Sequence, residues 1–487
     1  MHPQLRNLSE RQARWSLAAL IAISALGFTY LAWLKYACFN WETPDTALYS
    51  FAFNQALKGK FFPLFTHAGS LLGNHPNFLL LLWLPVYWLA PTTYSLLLFQ
   101  SLMISLAAWP IYLVTHFKTQ DRLTALIASA GFLLFPPIVG QYVNQIHDDQ
   151  FGLALLLFAL YYFEVGNFRR FTIFLALSLL AKETMALYTG AFGLYALVIH
   201  RDRKWVLLPV ALSIAYLAFT LGFLMPRWGV EVTRLYRRPA YFEGYGGSPT
   251  EIVKFISANP AGVVATMGGP DRIGYLLQLL LPLAIVLPFG SRAWILAAPM
   301  LGVNLLGTNR LLRDLSWHYN LIAGGMLWAS FLIALPKWVR ILERRFGPRN
   351  YGRILCFTTL VLSISLCHLW LSPWQYRPTA AHQARLEAIA AVPLTASVLS
   401  PENMLAHFAR HPALHSLAEM RYYNCDPNQV FDYDYIVFDA SYPSPDWQGQ
   451  SQLFALISAL PEYRLVFSRD GVFVYHRVGT PSRGLHW

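Results

Sequence analysis

Residues 78–91 read FLLLLWLPVYWLAP. A helix needs about 20 apolar residues to cross hydrocarbon; this stretch is shorter, carries Pro85 within it and ends at Pro91. Whether it crosses decides the side of the membrane on which everything after it lies. Arg6, Arg11 and Arg14 precede the first long apolar run, and Lys and Arg beside spans stay in the cytoplasm, so the N-terminus is expected inside. If 78–91 lies in the interface or re-enters, the clusters KTQDR, NFRR, HRDRK, SR and KWVRILERRFGPRNYGR all fall on the cytoplasmic side. If it crosses, they all flip outward and the charge rule is broken almost throughout. The pattern therefore predicts an interfacial 78–91.

The remainder of the chain supports a membrane protein. Of 487 residues, 56% are hydrophobic and only 13% charged, too little polar surface for a soluble chain. The first run, Leu17 to Leu34, is longer than a signal-peptide core and is followed by no small-x-small cleavage site, so it reads as a retained anchor. Further runs lie near 95–117, 123–142, 150–164, 171–200, 205–225, 273–289, 293–308, 319–335 and 354–372, with 171–200 long enough to be two helices broken at Lys182 and Glu183. The expected fold is an α-helical polytopic membrane protein of about eleven spans over residues 1–372, with a first outer loop at 39–94. Residues 373–487 hold the long polar stretches. There the strand-like runs SVLS, YDYIVFDAS, YRLVFS and GVFVYHR surround the helical PENMLAHFAR and QSQLFALISAL, predicting a small extracytoplasmic α/β domain. The net charge of +12 gathers in short clusters between apolar runs, which is topology signalling and excludes a nucleic-acid partner. Four scattered cysteines without a CxxC give no disulfide framework or zinc site.

On this topology the distinctive polar residues share the outer face. Thr43, Pro44 and Asp45 read as N-cap, first helical residue and first-turn acid. Asp45 is then either a complement to the helix dipole or a general base, and a helix N-terminus favours the ionised carboxylate that a base requires. The sequence IHDDQF places His147, Asp148 and Asp149 at the outer end of a span, either as a solvated helix cap or as a divalent-metal or acceptor site, since hard cations take carboxylate oxygens. Lys182 and Glu183 interrupt an apolar run, where ionisable groups are costly and mark function by default, unless the turn between two helices brings both to water. Arg227, Arg234, Arg237 and Arg238 alternate with tyrosines over 226–271, fitting either a phosphate-linked sugar or anionic headgroups. Arg310, Arg313, Trp317, His318 and Tyr319 repeat that combination, with the aromatic pair alone also readable as an interfacial belt.

Taken in order, WETPD, GNHPNFLLLLWLPVYWLAP, LLLFQSLMISLAAWPIYLV, NQIHDDQF, LLAKETMAL and SWHYNLIAG resemble a family of bacterial predicted membrane proteins of unknown function, and the tail start VPLTASVLSPENMLAHFARH extends the likeness. That family is similar to the type-C (GT-C) glycosyltransferases, which use polyprenyl-phosphate sugars. The resemblance implies that the first-loop acid, Asp45 with Glu42 as its competitor, is the catalytic base. It also implies that Asp148 and Asp149 help bind acceptor or a divalent cation such as Mg or Mn, and that interfacial helices occupy the first outer loop. The chain departs from the better-known branches in lacking a WWD-type signature in the tail, and in carrying HPN where those have Lys-Pro-Pro; His75 of that HPN joins His147, Lys182, Glu183, Arg237, Arg238, Trp317 and His318 as expected substrate-binding residues.

The expectation is an inverting glycosyltransferase of the bacterial inner membrane, moving a sugar from a polyprenyl-phosphate donor to an acceptor at the outer face. Two other classes compete. A transporter or flippase of a lipid-linked or amphiphilic solute would explain broken runs with intramembrane ions, although no two-fold repeat is visible and the acids cluster at one face. A noncatalytic scaffold would need only the tail. The sequence does not specify the sugar, the acceptor or an oligomeric state.

Overall fold

The computed structural model describes residues 8–41, 43–65, 69–228, 242, 245–246, 249–368, 370–418, 433–442 and 447–479. Glu42, Arg234, Tyr236, Arg237, Arg238 and Tyr241 lie outside them.

Helix α1 (Glu10–Ala37) opens on a capping box, with Ser9 and Gln12 exchanging side-chain and backbone bonds. Its inward stripe of Leu17, Ile21, Phe28, Leu31 and Tyr36 is buried, while Trp15, Ile23, Leu26 and Tyr30 face outward, the pattern of a helix packed on one side and lipid-facing on the other. After it comes α2 (Asp45–Ala56), then the stretch that decided the topology. That stretch is a five-residue 3-10 turn, Phe78–Leu82, and a six-residue helix, α3 (Leu84–Leu89). Both pieces are far shorter than a span, and Leu82, Trp88 and Leu89 are 72%, 68% and 76% exposed.

Helices α4 (Thr93–Leu106) and α5 (Ala108–Thr119) make one long apolar rod. The next two, α6 (Arg122–Leu133) and α7 (Pro136–Val143), meet at 51°, because Pro136 and Pro137 begin a new helix better than they continue an old one. Then come α8 (Asp149–Glu164), α9 (Phe168–Leu179), α10 (Met185–Val198) and α11 (Arg203–Phe219). The apolar run 171–200 is thus broken at 180–184 around Lys182 and Glu183. Among the described residues, four helices are long and apolar enough to cross a membrane, or five if the bent α6–α7 pair is one span.

The runs 273–289 and 293–308 do not form two uninterrupted helices. They break into the eleven-residue helix Pro270–Leu280, 3-10 turns that carry Pro282 and Pro288, and a nine-residue helix, α12 (Ala298–Leu306), with Pro299 in its first turn, and Ala284 and Ile285 adopt φ of 46° and 59°. Composition registers hydrophobicity, whereas proline removes the donors that would continue the helix. The rod α13 (Leu321–Phe346) follows at the centre of the bundle and α14 (Tyr351–Cys367) at its edge.

The tail contains a five-stranded mixed sheet ordered β2-β1-β3-β5-β4, from β1 (Val398–Ser400), β2 (Leu414–Ser416), β3 (Tyr435–Asp439), β4 (Tyr463–Arg469) and β5 (Val472–Arg477). The strands β1, β2 and β3 run parallel, and β5 is antiparallel to β3 and β4. Four of these coincide with the predicted strand-like runs, and β2 was not anticipated. The sheet's near edge rests on the first loop. Gln55 of α2 donates to the His411 carbonyl at 3.0 Å, Tyr36 stacks on His407 with ring centroids 4.1 Å apart, and the Arg385 guanidinium lies 5.5 Å from the Phe39 ring.

Candidate active site

The site forms where the ends of α1, α7 and α9 approach the starts of α2, α8 and α10. Asp45 heads α2, but the local structure is not the cap that the sequence predicted. Pro44, not Thr43, is the N-cap residue and offers no side-chain acceptor. The Thr43 hydroxyl instead donates to Asp45 Oδ2 at 2.7 Å. Gln145, which sequence reading passed over, supplies the missing cap from 99 residues away: its Oε1 accepts the Thr46 N–H at 2.8 Å.

Helix α7 brings the second loop in. A Cβ on Gly140 would lie 2.5 Å from the Ser316 Cα, so only glycine lets this helix touch the 315–316 backbone. Gln141 and Asn144 then both donate to the Ser316 carbonyl, at 3.1 and 2.8 Å. This contact delivers His318 to His147, whose rings stack with centroids 3.9 Å apart, with Trp317 at 6.3 Å from His147.

Four carboxylates and four basic side chains converge. Asp148 accepts from Asn77 Nδ2 at 2.7 Å and is also bonded by Tyr49; its burial raises the carboxyl above the usual range. Asp149 accepts from Lys182 Nζ at 2.7 Å, with His318 Nε2 at 4.0 Å from the same oxygen. Glu183 has both oxygens 3.1 Å from His75 Nδ1. Asp45 is the accessible member, its side chain 27% exposed, and its Oδ2 stands 3.9 Å from His147 Nε2. Burial lowers the pKa of His147, which keeps its imidazole neutral at pH 7. Among the described residues His147 Nε2 and His318 Nδ1 are buried without a hydrogen-bond partner, a costly condition that calls for a partner from elsewhere.

The structure thus brings Asp45, His75, His147, Asp148, Asp149, Lys182, Glu183, Trp317 and His318 into one neighbourhood. It does not leave Lys182 as an unpaired cation, since Asp149 holds it. Arg313 stands apart, bonded to Asp271 and to the carbonyls of Asn304 and Gly307, while Arg310 is exposed. Among the described residues no group of three or more His, Cys, Asp or Glu is placed to hold a metal ion. With Asp148 used by Asn77 and Tyr49, and Asp149 by Lys182, these two carboxylates do not present the open oxygen set that a divalent cation takes. Sequence reasoning missed Asn77, Tyr49 and Gln145, all uncharged, and gave Thr43 a cap's role; the only available signal was that Asn77 and Gln145 sit inside the quoted HPN and NQIHDDQ stretches.

The fold is that of ArnT from Cupriavidus metallidurans. The crystal structure of that protein in its apo state matches with a TM-score of 0.60 at 12% identity, covering 96% of this chain and 98% of that one. Its crystal structure bound to undecaprenyl phosphate matches with a TM-score of 0.58, again at 12% identity, over 96% and 99% of the two chains. At this identity the likeness is one of fold. No curated protein matches the sequence. The predicted membrane protein family DUF2079 matches residues 36–474, a stretch that runs from the end of α1 through every site residue named above into β5, and the chain belongs to that family.

Proposed function

We propose that this protein is an integral membrane glycosyltransferase that takes a sugar from a polyprenyl-phosphate donor and inverts it onto an acceptor hydroxyl, with Asp45 as general base. The observation that carries this reading is the gap between Asp45 Oδ2 and His147 Nε2. At 3.9 Å it is too long for a hydrogen bond, yet one oxygen can sit about 2.8 Å from both. An acceptor hydroxyl placed there donates its proton to the carboxylate and accepts from a neutral imidazole.

In the step proposed, the hydroxyl oxygen attacks the anomeric carbon as Asp45 takes the proton. The bond from that carbon to the phosphate oxygen breaks, and the electron pair leaves with the lipid phosphate. Developing charge on the phosphate calls for pre-placed donors. Lys182 is held by Asp149, so Arg237 and Arg238, which lie outside the described residues, are the proposed phosphate ligands together with His318. Undecaprenyl phosphate bound to ArnT is a lipid phosphate of the chemistry required, which supports the donor class. No step is routed through a metal.

The proposed arrangement is about eleven spans, the N-terminus in the cytoplasm, 78–91 at the interface, and the site and tail outside the bacterial inner membrane. The exposed apolar side chains of α3 support that placement. The test is complementation of a strain lacking the gene with Asp45→Asn, protein level checked, and lipid-linked sugars and envelope glycans profiled by mass spectrometry. Accumulation of an unfinished glycan or its lipid-linked donor is expected. A wild-type profile would sink the assignment of Asp45 and the mechanism with it.

A further inference from the structure

We infer that Gln145 is a positioning residue that aims Asp45, and that it does so through the Thr43 hydroxyl; this rests on reading Asp45 as the base. The argument starts from what α2 lacks. A helix leaves its first N–H groups unsatisfied, and Pro44 at the N-cap has no side-chain oxygen to offer them. Thr43, the nearest residue that could cap, turns its hydroxyl toward Asp45. The start of the acid-bearing helix is therefore defined by a residue from another loop.

Gln145 is 2% exposed and uses both ends of its amide. Its Oε1 accepts from Thr46 N at 2.8 Å, and its Nε2 donates to the Thr43 carbonyl at 2.6 Å and to Thr43 Oγ1 at 2.5 Å. An amide nitrogen only donates. Thr43 Oγ1 must accept from it, which commits the hydroxyl's single proton to Asp45 Oδ2 at 2.7 Å. The relay has one direction, from Gln145 through Thr43 to Asp45.

The same residue is tied to the imidazole across the gap. Gln150 Nε2 donates to the Gln145 carbonyl at 3.1 Å, and Gln150 Oε1 accepts from His147 N at 3.1 Å. Asn144 Oδ1 accepts from Gln145 N at 2.8 Å. One network of neutral side chains thus fixes both walls of the space between Asp45 and His147. None of them titrates, so the geometry holds across the working pH range. Glutamine suits this task because it alone among compact side chains, with asparagine, offers an acceptor and two donors on one planar group.

The test uses the full chain in membranes. Gln145→Leu removes cap and relay together. Thr43→Val removes only the relay, since the cap on Thr46 and the bond to the residue 43 carbonyl stay, and Thr43→Ser restores it. The readouts are amide hydrogen exchange over 46–49, binding of undecaprenyl phosphate to purified protein, and lipid-linked sugar accumulating in the complemented strain. Gln145→Leu is expected to speed exchange and to lower turnover roughly tenfold or more, the scale of a small misplacement of a reacting group. Thr43→Val should lower turnover similarly with exchange and undecaprenyl phosphate binding unchanged, and Thr43→Ser should recover it. Wild-type turnover in either Gln145→Leu or Thr43→Val overturns the inference, as does unchanged exchange in Gln145→Leu. An inactive Asp45→Asn beside a fully active Thr43→Val overturns the inference and leaves the base assignment standing, whereas a fully active Asp45→Asn overturns the base assignment on which the inference rests.

Discussion

Helix α8 carries an acid at each end, and the two ends behave differently. Asp149 starts it and Glu164 closes it, about 22 Å apart by helix rise. Each accepts from a lysine, Lys182 at 2.7 Å and Lys118 at 2.6 Å. At the Glu164 end the carboxylate is satisfied locally, with Lys118 on one oxygen and the Tyr195 hydroxyl on the other at 2.8 Å. At the Asp149 end, the neighbouring imidazoles of His147 and His318 keep buried nitrogens without partners among the described residues. Similar ion pairs are therefore no guide to role. The groups left unsatisfied around them are, because an orphaned buried donor or acceptor costs about 1–3 kcal/mol unless something else uses it.

This contrast can be broken by mutation. The largest effect is expected for Asp45→Asn, beside the unsatisfied end: transfer should fall roughly 10²–10⁴-fold, the range for a general base, with little change in thermal unfolding of the purified protein. Loss of stability on that scale would move Asp45 into the structural class with Glu164. Next, Lys182→Met should destabilise by about 3–5 kcal/mol, because it leaves the Asp149 charge buried and unpaired. Lys118→Met, at a side chain 22% exposed, should cost roughly 1–3 kcal/mol. Thermal unfolding of the two variants side by side checks the order, and the double variant Lys182→Met with Asp149→Asn should regain most of the loss.

His147→Gln sharpens the comparison from the other side. It keeps a side-chain donor but moves it, so transfer should drop roughly tenfold or more while stability changes by less than in Lys182→Met. The smallest effect concerns pH. Burial holds His407 down to about 4, at the contact between tail and first loop. An unfolded histidine titrates near 6.5, so between those values the unfolded chain binds more protons than the native one. The stabilisation is complete above about pH 6.5 and is lost as pH falls toward 4. Limited proteolysis of the tail should accelerate over that window, and His407→Gln should flatten the dependence.

How much of this was legible in the sequence follows from what each residue type announces. The first helix, the break at Lys182 and Glu183, and four strands of the sheet were readable because hydropathy and periodicity carry them directly. The charged residues that the structure gathers around Asp45 were picked out because charge beside an apolar run is conspicuous. The fragmented stretch 273–308 was read as two spans because its prolines scarcely lower its hydropathy. Strand β2 is three residues long, too short for alternation to register. Gln145 was passed over because a neutral amide has no signature until the fold sets it against Thr46 and against Thr43, which pattern reading had made the N-cap.

The bond from Gln55 to the His411 carbonyl spans 356 residues. On a ribosome adding roughly 5–20 residues per second, α2 therefore waits roughly 20–70 s between its own synthesis and the arrival of the segment that fastens its far end. Through that interval the aromatic first loop lacks the cover that the tail later supplies. Helix α2 is among the first parts of the molecule to be translated and among the last to be locked.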